Sequence, residues 1–261
     1  MKKRSRGFGM GMGDVFGGQS DPKNPTITGA GRLSGGRFES LTVTGAGKVD
    51  GDVHAKNVNL SGSAKISGNV TAGEFVAAGS VDVAGRLEAK SINSAGALNV
   101  GRGIQAGTLD ATGAFSSGGD VEATAFRARG GFTVRGRIKA DSVDIEIGGR
   151  CRADAIQAPR ITVTRGSSGG GGGGAVSVSV VGQGASVSVT SSASSTSSGE
   201  RILDVDRIEG TTVSLEATRA RTVKGARVTI GAECQIDRVE YTEEFKATDG
   251  AKVGESVKVG K

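Results

Sequence analysis

A repeat of seventeen residues between Leu41 and Ile145 constrains the fold more than any other feature of this sequence. Glycine recurs at this interval, in a column that contains Gly45, Gly62, Gly79, Gly96, Gly113 and Gly130. Alanine recurs in the same way, in a column that contains Ala55, Ala72, Ala89, Ala106, Ala123 and Ala140. A fixed period of this length is typical of solenoid proteins, in which each repeat is one structural unit that stacks on its neighbours.

Apolar side chains occupy further columns of the repeat, in pairs whose members lie two residues apart. In one unit the three pairs are Val58 with Leu60, Ala64 with Ile66, and Val70 with Ala72. Residues two apart point to the same side of a β-strand, so each unit predicts three short strands. The glycines between the pairs supply the backbone freedom that sharp turns need. We therefore predict an all-β fold, a parallel β-helix with about 17 residues per rung.

The repeat divides the chain into four segments. Residues 1–25 form a Gly-rich tail, which begins with the basic residues Lys2, Lys3, Arg4 and Arg6. We interpret this tail either as a flexible segment or as an anchor for an anionic membrane or a partner. Residues 26–164 form the first run of rungs. The first of these rungs matches the repeat imperfectly, with a one-residue slip in the register before Leu41. Residues 201–261 return to apolar pairs and continue the rungs to a C-terminal cap.

Residues 165–200 interrupt the repeat with a Gly/Ser-rich insert. Its middle alternates Val and Ser on both sides of Gly182, Gln183 and Gly184, which is the pattern of a β-hairpin between flexible arms. Two interpretations remain open for this insert. It is a tolerated excursion from the stack, or it is a ribbon that pairs with another chain.

Two cysteines, Cys151 and Cys234, fall at inward positions about three rungs apart. That separation is about 14 Å at the usual spacing of strands, whereas a disulfide needs Cα atoms within about 7 Å. Two buried, unpaired thiols indicate a reducing compartment. The sequence has no apolar run of the roughly 18 residues typical of a membrane-spanning helix, and no apolar stretch of a signal peptide. We expect a cytoplasmic protein that at most attaches to a membrane surface.

Residues for catalysis are scarce. His54 is the one histidine, and it lies between the inward residues Val53 and Ala55, so it should face solvent without a metal-ligand partner. The carboxylates that fall on outward positions of different rungs are Asp50, Asp52, Asp82 and Glu88. They form no pair for general acid–base catalysis, and the glycine run of the insert lacks the Gly-Lys-Ser/Thr of a phosphate-binding loop. We predict no enzymatic activity, cofactor, metal or small-molecule substrate.

A group of basic residues falls on one side of neighbouring rungs and contains Arg135, Arg137, Lys139, Arg150 and Arg152. A constant period stacks Arg152 directly on Arg135. The chain has a formal net charge of +6, and such a basic patch can bind an acidic lipid or nucleic acid. Nucleic acid is the weaker candidate, because few aromatic residues are interleaved and no nucleic-acid motif is present. A solvated face with acidic neighbours is the alternative interpretation.

The two ends of a β-helix expose unpaired strand edges, which favour pairing with another copy. Neither a terminal amphipathic helix nor a Pro-rich plug is evident at either end. Leu33 and Phe38 lie in the first rung, and Tyr241 and Phe245 lie near the last. Repeated contact between ends generates open filaments. We therefore predict that these four residues lie in self-association contacts and that the chain is a homopolymer.

The rung sequence KVDGDVHAKNVNLSGSAKISGNVTAGEF resembles the bactofilins, the polymer-forming cytoskeletal proteins of bacteria. The later segment TTVSLEATRARTVKGARVTIGAECQIDRVEYTEEF is similar to longer members found in Gram-positive bacteria. The resemblance covers roughly residues 27–164 and 201–261. It implies a right-handed, three-sided β-helix, filaments that need no nucleotide, and a scaffold role in the cytoplasm, sometimes on the membrane. This chain departs from the compact members in its larger number of rungs and in its insert.

Overall fold

The computed structural model describes residues 22–166 and 201–260, which form a stack of parallel β-strands without a helix. The strands are β1 (Thr26–Ile66), β2 (Val70–Val83), β3 (Leu87–Val100), β4 (Ile104–Ser117), β5 (Val121–Gln157), β6 (Arg160–Arg165), β7 (Leu203–Leu215), β8 (Thr218–Ile230), β9 (Gln235–Ala247) and β10 (Lys252–Lys258). Each strand pairs in parallel with the next, and β5 also pairs with β7. The predicted parallel β-helix is confirmed. In the described part of the chain, no helix has the length and apolar character needed to cross a membrane.

The seventeen-residue columns lie in register along the first half of the stack. Val53 lies opposite Val70, Val70 opposite Leu87, and Leu87 opposite Ile104. The glycine column is equally regular, since Gly62 lies opposite Gly79 and the next three strands continue the alignment. Each rung therefore places residues of the same kind, apolar or glycine, above one another, as the sequence predicts.

The core is a narrow channel filled by three pairs of side chains per rung. In β3 the inward residues are all buried, and they are Leu87 with Ala89, Ile92 with Ser94, and Leu98 with Val100. The largest fully buried side chains include Phe75 and Phe126, which belong to the same apolar column as Val58. This arrangement confirms the three inward pairs per rung, but each regular rung is one continuous strand, such as β3, rather than the three short strands that the apolar pairs predict.

The glycine column occupies a corner that no other residue fits without strain. Gly96 has a φ of 125°, in the left-handed region that side chains disfavour. A Cβ atom on Gly96 would also lie 2.4 Å from the carbonyl oxygen of Gly79 in the rung below. Backbone conformation and close approach of the strands therefore both require glycine at this position.

The first rung is shorter than the regular ones. The amide of Thr42 donates a hydrogen bond of 3.1 Å to the carbonyl of Pro25, and Gly45 lies against Gly29, sixteen residues earlier. The predicted one-residue slip before Leu41 is confirmed. The rest of the predicted N-terminal tail, residues 1–21, lies outside the described residues.

The stack continues on both sides of the insert. Val143 lies opposite Ile161, eighteen residues later, and Cys151 lies opposite Leu203 at the start of the C-terminal rungs. Residues 167–200, with the predicted Val/Ser hairpin, lie outside the described residues. Because Leu203 lies opposite Thr218, the two cysteines are three strands apart in one column. Both are buried and unpaired, as predicted.

The C-terminal rungs differ from the predicted length of about seventeen residues. Leu203 lies opposite Thr218, fifteen residues later, and Arg219 lies opposite Gln235, sixteen residues later. The spacing returns to seventeen within the same pair of strands, where Val228 lies opposite Phe245, and remains so where Ile236 lies opposite Val253. The shorter rungs have tighter corners, at which Ala217 has a φ of 45° without being glycine.

Candidate functional site

The C-terminal end of the stack exposes part of a strand edge. β10 pairs with β9 only between Gln235 and Tyr241, so the segment of β9 around Phe245 has β8 on one side and no further strand on the other in the described chain. The rings of Tyr241 and Phe245 stack at 5.5 Å between centroids with an interplanar angle of 27°. Both rings are half-buried against the core, which leaves apolar surface at this end.

The N-terminal end is built from the first turn of β1. Leu33 and Phe38 are half-buried there, whereas the equivalent column residues inside the stack are fully covered. The tip of the Phe38 ring lies 3.2 Å from the place that a Cβ on Gly36 would occupy. The ring therefore folds over a glycine and covers part of the terminal core. Of the four predicted self-association residues, Leu33 and Phe38 lie in the first rung, and Phe245 lies at the unpaired end of β9. Tyr241 lies nearby but is opposite Lys258 of β10.

The predicted group of five basic residues does not line a single surface feature. Arg150 and Arg152 line a groove across β5, β7, β8 and β9, whereas Arg137 lines a separate depression with Arg207 and Glu209. Arg135 and Lys139 are exposed on β5.

The stacking of Arg152 on Arg135 depends on a constant period, which β5 does not keep. A Cβ on Gly148 would lie 3.0 Å from the Cα of Gly130, eighteen residues earlier, rather than seventeen. Beyond that point, the thiol of Cys151 donates to the carbonyl of Gly130 at 3.4 Å and receives a hydrogen bond from the backbone of Phe132. A constant period would place Val134 there. The seventeen-residue step that aligns the two arginines therefore does not hold in this part of the stack.

The groove, which we call the Arg/Asp groove, has a volume of about 640 Å³. Its charged lining residues are Arg150, Arg152, Asp154, Asp204, Asp206, Arg219, Arg221 and Asp237. Arg150 pairs with Asp204 at 3.4 Å, and Arg221 pairs with Asp206 at 3.4 Å. Since arginines and aspartates are equal in number, the groove has no net charge and gives an acidic partner no advantage.

Sequence reasoning missed the acidic half of this groove. The alternation of charged and apolar residues is visible in the separate segments CRAD, LDVD, TRAR and CQID. The insert separates the first segment from the second, and the short rungs remove the period that would align the others. The signal is present, but only the register of β5, β7, β8 and β9 brings it together.

His54 lies where the sequence places it. His54 is exposed between buried Val53 and half-buried Ala55. Across residues 22–166 and 201–260, no group of three or more His, Cys, Asp or Glu side chains could hold a metal ion. Burial raises the pKa of the Cys151 thiol to about 11 and also raises the pKa of Cys234, which makes both sulfurs poor nucleophiles at neutral pH.

Comparison with known proteins gives one short similarity. A segment of 58 residues is 40% identical to the uncharacterized protein YhbE of Bacillus subtilis (strain 168). This segment is 22% of the present chain and 24% of YhbE, so the chain spans about a quarter of the relative that it matches. No family model matches the chain. No solved structure matches it either.

Proposed function

We propose that this chain is a structural scaffold rather than an enzyme, and that its rods join end to end into filaments without a nucleotide. The observation that supports this proposal is that, among the described residues, no further strand pairs with the outer edge of the first turn of β1 or with the end of β9, next to half-buried apolar side chains. These side chains are Leu33 and Phe38 at one end, and Tyr241 and Phe245 at the other. The resemblance of the rungs to the bactofilins supports the same function.

Two gains favour contact between ends. Backbone N–H and C=O groups on a free edge form hydrogen bonds with another strand, as neighbouring rungs already do. Burial of the exposed apolar surface at the ends contributes about 25 cal/mol for each Å² removed from water. A second rod offers both gains, because its terminal rung has the same strand spacing and a similar core outline.

The cytoplasm is the proposed location, and the basic N-terminal tail is the proposed point of any membrane contact. The two buried, unpaired thiols agree with a reducing compartment. The basic residues of the tail suit an anionic surface, since each contributes about 1 kcal/mol near such a membrane. Binding of the full chain to vesicles with and without anionic lipid tests this contact.

Electron microscopy of the purified full chain tests the filament proposal directly. We expect filaments in the absence of nucleotide, whose number rises with protein concentration. Sedimentation provides the matching measurement in solution. Only monomers across a range of concentrations and salt would contradict the proposal.

Charge at the ends provides the matching mutational test. We expect Phe245→Asp and Leu33→Asp to abolish filaments, because an unpaired carboxylate resists burial in a contact. Thr133→Asp is the control, since it adds the same charge at an exposed position in the middle of the rod. Circular dichroism should show the same β-structure in all three variants. Unchanged filaments in both end variants would show that the ends of the rod do not form the filament contact.

A further inference from the structure

The Arg/Asp groove lies between two outward columns of charged side chains. The first column contains Arg152, Asp204, Arg219 and Gln235, which lie opposite one another in the register of β5, β7, β8 and β9. The second column, two residues further along each strand, contains Asp154, Asp206, Arg221 and Asp237. The floor between the columns is the backbone around Ala153, Val205 and Ala220.

The centre of this pattern is two adjacent strands of opposite charge. On β7 both outward residues are acidic, Asp204 and Asp206. On β8 both are basic, Arg219 and Arg221. A surface with an acidic row beside a basic row is complementary to itself after rotation by 180°. Self-complementarity of this kind is what an isologous contact between two copies requires.

We propose that the Arg/Asp groove is a side-by-side contact between two copies of this chain, with their rods antiparallel. The two-fold axis runs parallel to the strands, between β7 and β8. It places Asp204 opposite Arg219 of the second copy and Asp206 opposite Arg221 of the second copy. The reciprocal contacts double the number, so four pairs of opposite charges meet at the centre. Each of these contacts joins a short aspartate to a long arginine, so all of them span a similar distance between the two surfaces.

The charges exclude the parallel arrangement of the same two faces. An axis along the rod would place β7 on β7 and β8 on β8, and it would exchange the two columns. Asp204 would then face Asp206 of the second copy, and Arg219 would face Arg221. Like charges directly opposite one another are unfavourable. The direction of the second rod therefore follows from the charge pattern.

The outer strands limit the strength of the contact. Arg152 meets the neutral Gln235 of the second copy, and Asp154 meets Asp237, which is an unfavourable contact at the rim. From β5 to β9 the groove spans three strand steps, or about 14 Å, so its area falls well below the roughly 800 Å² per partner of a stable pair. Single rods therefore pair weakly. Rods joined end to end would repeat the contact, and this gain alone rests on the proposed filaments.

Analytical ultracentrifugation of the full chain tests the pairing itself. The Phe245→Asp background keeps rods single if filaments form, so a failure of pairing is distinct from a failure of end contacts. We expect a dimer at low salt that dissociates as salt screens the charges. A monomer at every concentration up to about 1 mM, where even a binding free energy of about −4 kcal/mol gives detectable dimer, would overturn the proposal.

Charge reversal identifies the face and its symmetry. Reversing the acidic row with Asp204→Arg and Asp206→Arg should raise the dissociation constant at least about ten-fold, since four attractive contacts become repulsive. Reversing the basic row with Arg219→Asp and Arg221→Asp should do the same. The chain with all four changes again has one acidic and one basic row, so it should pair like the original. Loss of pairing in this folded fourfold variant would overturn the two-fold arrangement.

Two further variants separate a specific contact from a general effect of charge. Glu88→Arg with Glu122→Arg makes the same change in net charge on exposed positions of another part of the rod, and it should leave the dimer unchanged. Asp154→Asn removes the like-charge contact with Asp237 at both symmetry-related rims and should tighten the dimer. An effect of the Glu88 and Glu122 changes as large as that of the β7 reversal, or a weaker dimer in Asp154→Asn, would contradict the proposed contact.

Discussion

The regular rungs β2 to β4 and the C-terminal rungs β7 to β9 fill the same kind of core with different corners and surfaces. In β2 to β4 every step is seventeen residues, and a glycine with positive φ lies at the same corner each time. Outside the core, polar ladders such as Asn99 to Asp82, at 3.1 Å, connect neighbouring rungs. Their ion pairing in the described chain is limited to Asp110 of β4, which pairs with Arg127 of β5 at 3.8 Å.

The rungs β7 to β9 use other means. Their steps are fifteen to seventeen residues, and the non-glycine residues Ala217 and Glu233 adopt positive φ at corners between strands. Ion pairs cover their outer surface, among them Lys224 with Glu240 at 2.6 Å and Arg238 with Glu240 at 2.9 Å. The inward columns therefore define the solenoid, whereas the number of residues per rung and the charges on the surface can vary.

The largest expected effect separates the two kinds of corner. Gly96→Ala should destabilise the regular rungs by at least about 2 kcal/mol, because the new Cβ would meet the Gly79 carbonyl at 2.4 Å in a left-handed backbone. Glu233→Gly should be neutral or stabilise by less than about 1 kcal/mol, since it relieves a left-handed residue and loses an exposed ion pair. Denaturant unfolding of both variants measures the contrast, and equal losses would contradict it.

An effect of intermediate size concerns the buried thiol between the two regions. The pKa of Cys151 is raised to about 11 in the folded chain, above the ordinary thiol value of 9.0. The unfolded chain therefore releases this proton first, and stability should fall as pH rises from about 9 to about 11, by up to about 2 kcal/mol. Cys151→Val, which suits a column of apolar residues, should lose this part of the pH dependence. Identical pH profiles for the two proteins would show that the thiol does not contribute.

The smallest expected effect is the response to salt and acid. Hydrogen exchange should show weaker protection of β8 and β9 at 1 M salt, roughly the concentration at which charges beyond 3 Å are screened, with β2 to β4 unchanged. Lys224 and Arg238 hold the pKa of Glu240 below its usual value. The contribution of Glu240 is therefore present at neutral pH and is lost as pH falls through the lowered pKa. An equal loss of hydrogen-exchange protection in β8 to β9 and in β2 to β4 would contradict this prediction.

The sequence predicts the regular region well, because every inward residue there obeys a constant step. Gly62, Gly79 and the apolar pairs on either side lie where the period places them. The slip before Leu41 was also predictable, since a glycine pattern survives in the first rung. Contacts that depend on a change in the number of residues per rung were not predictable from the sequence. The expected stacking of Arg152 on Arg135 does not hold, because the step lengthens within β5.

The groove was hidden for a related reason. Its Arg150 and Arg152 lie before the insert, and its Asp204 and Asp206 lie after it. A sequence without a fixed step gives no means to place Arg219 beside Asp204, although the strands do so. The ends are a different case, since Phe38 and Tyr241 were found from the expectation that terminal rungs are exposed.

The corner at which the chain leaves and re-enters the stack also makes this rod a natural mount for added domains. The amide of Gly166 still donates to Ile147 at 3.0 Å, and the amide of Cys151 donates to Ile202 at 3.0 Å, so backbone hydrogen bonds between rungs persist up to both sides of the insert. Loop closure costs only about 0.6 kcal/mol for each doubling of length. A fluorescent protein or a ligand-binding module joined at this corner should therefore decorate the rod at one fixed height while the rungs above and below stay in register.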